Sequence, residues 1–146
     1  MPSYSELASR LLGFGCRDLG SGVSEAEIAD AENELELRIE GSYRQFLKQF
    51  GWGGVEHLEL YGIGGPAHLD LVRVTRSERS EMVPPLPAYL LPVMNDGGGN
   101  LFCLDTTIAG EPPIVFWDHT GGADQVVDVE GDSFSSWLWE QLNDLE

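Results

Sequence analysis

The chain has 146 residues, with 8 Lys and Arg against 25 Asp and Glu, which gives a formal charge of −17. So negative a chain repels phosphate backbones, which argues against direct nucleic-acid binding. No stretch approaches the roughly 18 uncharged apolar residues that a membrane span needs. Glu6, Arg10 and Arg17 interrupt any apolar leader near the N-terminus. We therefore expect one cytoplasmic domain over residues 1–146, with no membrane partner.

Signals for catalysis, cofactors or metals are weak. Cys16 and Cys103 are too few for a disulfide framework and lack metal-ligand spacing. The chain carries no phosphate-binding loop or hydrolase motif, so we expect no enzyme, no cofactor and no metal. Asp118-His119 leaves a small hydrolase as a third hypothesis, although adjacent strand residues point to opposite faces and pair poorly. Asn95 to Asn100 resembles a calcium loop, but its glycines favour a hairpin turn.

The charge is unevenly distributed along the chain. Beyond Arg79 there is no Lys or Arg. This pattern has two interpretations that the sequence leaves open: a solvated acidic surface, or a surface adapted to a basic partner. Twelve acids lie in this C-terminal part: Glu81, Asp96, Asp105, Glu111, Asp118, Asp124, Asp128, Glu130, Asp132, Glu140, Asp144 and Glu146.

Four amphipathic helices are predicted from capping residues followed by apolar residues at helical spacing. The first ends by Gly13, and Gly51 is placed to stop the third. The last helix carries an apolar face that should dock on a sheet or another helix. The predicted caps are Ser3 with Glu6, Ser24 with Glu27, Ser42 with Gln45, and Asp132 or Ser133.

Between the third and fourth helices the hydrophobic period changes from 3.6 to 2, which indicates strands. Helices followed by sequential strands and a closing helix predict an α+β fold with a mainly antiparallel meander of about five or six strands. Four prolines predict a loop over residues 77–92. The candidate strands are Val55 to Tyr61, Leu69 to Thr75, Leu90 to Met94, Leu101 to Asp105, Ile114 to Trp117 and Gln125 to Val129.

Seven segments in chain order carry a family resemblance. They are Ser24 to Ile28, Leu35 to Ile39, Tyr43 to Leu47, Phe50 to Gly54, Asn95 to Asp105, Pro113 to His119 and Ser133 to Leu138. Taken together, these segments resemble the SUKH superfamily, which includes yeast cell-wall assembly regulators and bacterial immunity proteins. The resemblance spans residues 21–145 and rests on the order of the segments rather than on any single motif.

The resemblance implies a non-catalytic binding protein, most often an immunity protein that neutralises a bacterial toxin such as a nuclease or deaminase. An acidic inhibitor gains association rate with a basic toxin and can occlude its substrate cleft. The alternative is a regulatory or scaffolding module like the yeast relatives. The candidate contacts are Glu59, Asp70, Asp105, Asp118 and Asp124, with Trp117 or Trp139 as an aromatic anchor.

Overall fold

A computed structural model describes residues 2–145 and shows five helices and a seven-stranded antiparallel sheet. The strands follow one another across the sheet in chain order, so the predicted α+β meander is confirmed. The helices are α1 (Tyr4–Gly13), α2 (Glu25–Leu35), α3 (Gly41–Gln49), α4 (Leu71–Ser80) and α5 (Phe134–Asn143). The strands are β1 (Arg17–Leu19), β2 (Gly53–Val55), β3 (Leu58–Leu60), β4 (Leu90–Asn95), β5 (Leu101–Asp105), β6 (Ile114–Trp117) and β7 (Asp128–Gly131).

Two of the three predicted capping boxes form. The backbone N–H of Glu6 donates to Ser3 Oγ at 3.1 Å, and Ser3 N–H donates back to the Glu6 carboxylate at 3.3 Å. Ser24 and Glu27 repeat the pattern at the start of α2. Such reciprocal bonds satisfy two backbone donors that a helix start otherwise leaves unpaired.

The third box, predicted at Ser42 with Gln45, is wrong. Glu40 occupies the capping position of α3 without a side-chain bond, and Ser42 lies inside the helix. The Glu111 carboxylate instead accepts from the backbone N–H of Ser42 at 3.0 Å and from its hydroxyl at 3.1 Å. Ser42 Oγ in turn accepts from the N–H of Ser135 at 3.0 Å, which connects α3 to α5. A residue 69 positions away thus supplies the negative group that a helix N-terminus favours.

The strand predicted over Leu69 to Thr75 is also wrong, because this segment forms a short 3-10 helix and the start of α4. Asp70 caps α4 by accepting from the N–H of Arg73 at 3.0 Å. The alternation of apolar and polar residues in this segment is typical of a strand, but Leu71 and Thr75 are instead buried on one face of a helix. Consequently the loop predicted from residue 77 begins only after Ser80.

Seven strands form where about five or six were expected. The run Val55 to Tyr61 is a hairpin of β2 and β3, which turns at Glu56 with a φ of 53°. The three-residue β1 was not predicted, since it is too short to show alternation. β7 starts at Asp128 rather than Gln125. The predicted bounds of β5 and β6 are confirmed.

The central strands carry buried side chains on both faces, although Phe102 and Phe116 are only half-buried. Register places Phe102 opposite Phe116, and the Phe102 ring lies 5.2 Å from that of Trp137 on α5. Residues Leu101, Cys103 and Trp117 on the opposite face are at most 2% exposed. Tyr43 of α3 donates its hydroxyl to the Tyr61 carbonyl at 2.7 Å and so fixes the helices to β3.

Candidate functional site

Strand direction brings three of the predicted acids to one end of the sheet. β6 runs toward this end, and Asp118 and Asp124 follow it in the connection to β7. β3 starts at the same end and runs away from it, so Glu59, the middle residue of this short strand, also lies near that end. Asp96, in the turn after β4, joins them. We call Glu59, Asp96, Asp118 and Asp124 the acidic rim.

A cleft opens in the rim where β3 and β4 separate. The ladder between these strands consists of Leu60 opposite Met94, with one further bond from Tyr61 N–H to the Val93 carbonyl at 2.9 Å. Beyond this point the strands part and leave a cleft of about 460 Å³. Its lining includes His57, Leu58, Glu59, Tyr61, His68, Leu69, Met94, Asn95, Asp96, Gly97, Phe102 and Gln141.

A second groove lies on the other side of β3. It measures about 590 Å³ and shares His57, Glu59 and His68 with the cleft. Gly54 pairs with Glu59 across the two strands and lines the groove. Trp52 forms one wall of the groove. His68 Nε2 lies 3.2 Å from the Glu59 carboxylate, so one side-chain hydrogen bond lies between the two depressions. From the sequence, His57 and His68 are interpreted as ordinary loop or sheet residues, because neither has a Cys or a second His at ligand spacing.

The turn between β4 and β5 is held by its own side chains. Asn95 Oδ1 accepts from the N–H groups of Gly97 and Gly99, both at positive φ. Asp96 Oδ1 accepts from Gly98 and Asn100 at 2.8 and 3.1 Å. The hairpin interpretation of this segment is therefore confirmed. Across residues 2–145, no group of three or more potential ligand side chains is arranged to hold a metal ion.

Asp118 and His119 do not form an acid–base pair. Asp118 Oδ1 accepts from the N–H and hydroxyl of Thr120 at 2.9 and 2.7 Å, and these bonds hold the pKa of the carboxyl below its usual range. His119 instead bonds to Asn100. Its backbone N–H donates to Asn100 Oδ1 at 3.2 Å, and its ring Nδ1 lies 2.7 Å from the same oxygen. This arrangement ties the β6–β7 connection to the β4–β5 turn, which is a structural role for the histidine.

Two predicted acids lie away from the rim and already bind backbone groups. Asp70 caps α4 and forms a bridge to Gly62 below the rim. Asp105 ends β5, which runs away from the rim, and its Oδ1 accepts from Thr107 N–H at 3.0 Å. Asp105 is thus at the opposite end of the sheet from Asp118.

Neither predicted tryptophan lies on the rim. Trp117 is 2% exposed and belongs to the core, so a partner cannot contact it while the sheet stays closed. Trp139 lies half-buried on α5, where the Arg10 guanidinium stands 4.4 Å from its ring centroid. Arg10 also donates to the Trp139 carbonyl at 3.2 Å. This cation–π pair joins α1 to α5.

Among residues 2–145, the ion pairs of Arg and Lys lie on the helical side of the protein and not at the rim. Arg44 pairs with Glu25 and Glu32, and Arg76 pairs with Glu34, so acids of α2 hold these cations. Arg79 donates to two backbone carbonyls. Within residues 2–145, none of the rim acids pairs with an Arg or Lys. Arg17, at the start of β1, lies at the same end of the sheet and lines the groove.

Comparison with known proteins gives the family. Residues 16–143 match the profile of the SUKH_5 family, described as SMI1-KNR4 cell-wall. The chain belongs to this family. Among solved structures, a crystal structure of a protein from Pseudomonas syringae pv. tomato has a TM-score of 0.71 at 18% identity. That match covers 93% of this chain and 96% of the other, and at this identity it shows a shared fold. Comparison with curated proteins gives no match.

Membership of SUKH_5 agrees with the predicted resemblance over nearly the same residues. The glycine-rich segment Gly51 to Gly54 of this SUKH_5 chain leads into β2 and supplies its first two residues, and Asn95 to Asn100 forms the tight turn. Within residues 2–145, no helix has both the length and the apolar character needed to cross a membrane.

Proposed function

We propose that this SUKH_5 protein is a non-catalytic immunity protein that binds a cognate bacterial toxin and blocks its active cleft. The observation that carries the proposal is the acidic rim, since Glu59 and Asp96 line a cleft, Asp118 and Asp124 lie at the same end of the sheet, and within residues 2–145 none of the four pairs with an Arg or Lys. The toxin would be a basic nuclease or deaminase whose cations otherwise hold phosphate. Carboxylates opposite such cations increase association rate and can fill the same positions.

Binding rather than catalysis is supported by the state of the polar side chains. His119 is bonded to Asn100, and Asp118 is bonded to Thr120, so neither is arranged to exchange a proton with the other. Proton transfer requires an acid or base within hydrogen-bond reach of its substrate and of its orienting partner. The protein would act in the cytoplasm, where a toxin has to be neutralised before it reaches its target.

A regulatory or scaffolding module is the second candidate, and the description of the matched family favours it. Such a module would bind several endogenous partners, and no toxin gene would be found beside its own. The cleft and groove beside β3 could then accept peptide segments instead of a folded toxin.

Co-expression separates the two candidates. The basic domain encoded next to this gene is induced alone and together with this protein, and viability is scored. Rescue is expected for immunity, and failure to rescue would refute it. Glu59→Lys with Asp124→Lys should weaken rescue, whereas Asp30→Lys with Glu81→Lys, which makes the same charge change away from the rim, should not. Association with the purified toxin should slow as salt rises, because ions screen exposed charges.

A further inference from the structure

The sheet ends in an open edge at β7. This strand pairs with β6 through Gly131 opposite Ile114, Val129 opposite Val115 and Asp128 opposite Phe116, and the register shifts at Glu130, which has no residue opposite it. Within residues 2–145 no strand lies on its other side. Alternate backbone N–H and C=O groups of an edge strand point outward, where they can pair with another chain.

Exposed valines accompany this edge. Val126 is 91% exposed and Val129 is 61% exposed, while Val115 across the ladder is buried. Val126 precedes the first ladder residue, although β-branched residues favour strands. The cause is Gln125, whose Nε2 donates to the carbonyls of Asp118 and Gly122 at 2.7 and 3.0 Å and bends the chain before β7. The segment 126–127 therefore has strand-forming residues without a strand partner.

The charged side chains of β7 favour a positively charged partner strand over a negatively charged one. Asp128 and Glu130 are exposed on β7, and neither is in an ion pair with any residue of the range 2–145. A second copy pairing through the same edge would place these acids against one another, which opposes self-association. Lys or Arg on an incoming strand would instead lie opposite carboxylates. β1, the other edge, carries the cation Arg17.

We propose that the outer edge of β7 receives an extended segment of the toxin in which basic and β-branched residues alternate. The segment would add an eighth strand along residues 126–130, about 17 Å at the usual rise of a strand. Backbone bonds would hold it, Val129 would pack against its apolar residues on one face, and Asp128 would select its cations on the other. This inference rests on the proposed function for the existence of a toxin, but it assigns a surface different from the acidic rim.

A synthetic peptide tests the edge without the toxin. The probe is a seven-residue peptide of alternating Lys and Val, and amide hydrogen exchange is followed by NMR. We expect slower exchange at amides of residues 126–130, together with saturable binding. The same peptide with N-methylated amides should not protect these residues, because it cannot complete a ladder. Absence of protection at about 1 mM peptide, the affinity range of a marginal contact, would overturn the proposal.

Charge reversal supplies the matched variants. Asp128→Lys with Glu130→Lys should weaken binding of the Lys–Val peptide about tenfold and permit binding of a Glu–Val peptide. Asp30→Lys with Glu81→Lys should change neither. If both double variants weaken binding equally, the attraction is non-specific and the proposal is wrong. If the edge variant still rescues cells fully, the toxin binds elsewhere, so this inference fails while the immunity function stands.

Discussion

The bond between Ser42 and Glu111 predicts how the helices are fixed to the sheet. Ser42→Ala removes a hydroxyl that is 2% exposed, donates to Glu111 and accepts from Ser135 N–H. The N–H of Ser135 then loses its acceptor in the interior, which costs about 1 to 3 kcal/mol. Glu111→Gln keeps an acceptor but removes the charge at the start of α3, which costs about 0.3 to 1 kcal/mol.

Urea unfolding followed by tryptophan fluorescence measures these losses. We expect Ser42→Ala to lower the free energy of unfolding by about 2 kcal/mol, and Glu111→Gln by less than about 1 kcal/mol. The two changes share one interaction, so the double variant should lose less than their sum. Ser80→Ala, which removes a hydroxyl bonded within an exposed helix turn, is the control and should stay within about 0.5 kcal/mol of the parent. Equal losses for Ser42→Ala and Ser80→Ala would refute the long-range cap.

Three further predictions concern pH, a loop contact and backbone packing. Burial raises the pKa of Glu78 in the folded protein, so the unmutated protein loses stability as the pH rises through that pKa. Glu78→Gln should therefore raise the free energy of unfolding at pH 7 by less than about 1 kcal/mol and leave it unchanged at pH 4. Unfolding at the two pH values tests this, and equal effects would contradict it. His119→Ala should lower the free energy of unfolding by about 1 kcal/mol and speed amide hydrogen exchange near Asn100. Unchanged exchange would contradict the proposed link between the β6–β7 connection and the β4–β5 turn. Gly62→Ala would place Cβ 1.9 Å from the Gly51 carbonyl oxygen, so a loss above about 3 kcal/mol is expected in thermal unfolding, and a neutral result would contradict the packing.

Short sequence motifs correctly predicted the elements whose hydrogen-bond partners lie only a few residues apart. The capping boxes at Ser3 and Ser24 join residues three positions apart, and both form. The turn from Asn95 to Asn100 likewise bonds within itself. Ser42 violated the same rule because Glu111 and Ser135, which are distant in sequence, take its backbone and hydroxyl bonds.

Long-range packing also decided which apolar segments became strands. The apolar pattern over Leu69 to Thr75 suited a strand, but the Asp70 cap and burial of one helical face produced α4. Gln125 shortened β7 through bonds to a loop. The hydrophobic periodicity of the sequence predicts neither effect, because each depends on a contact that forms only in the folded protein.

Composition and order of motifs were enough to predict the acidic α+β meander and the family of this protein, since both depend on the whole chain. The position of the candidate site required the tertiary structure. Strand direction decided that Glu59, Asp118 and Asp124 share one end of the sheet and that Asp105 lies at the other. The separation of β3 from β4 created the cleft, and the place of β7 at the end of the meander left its edge open. These features arise from register and strand order, which single residues do not encode.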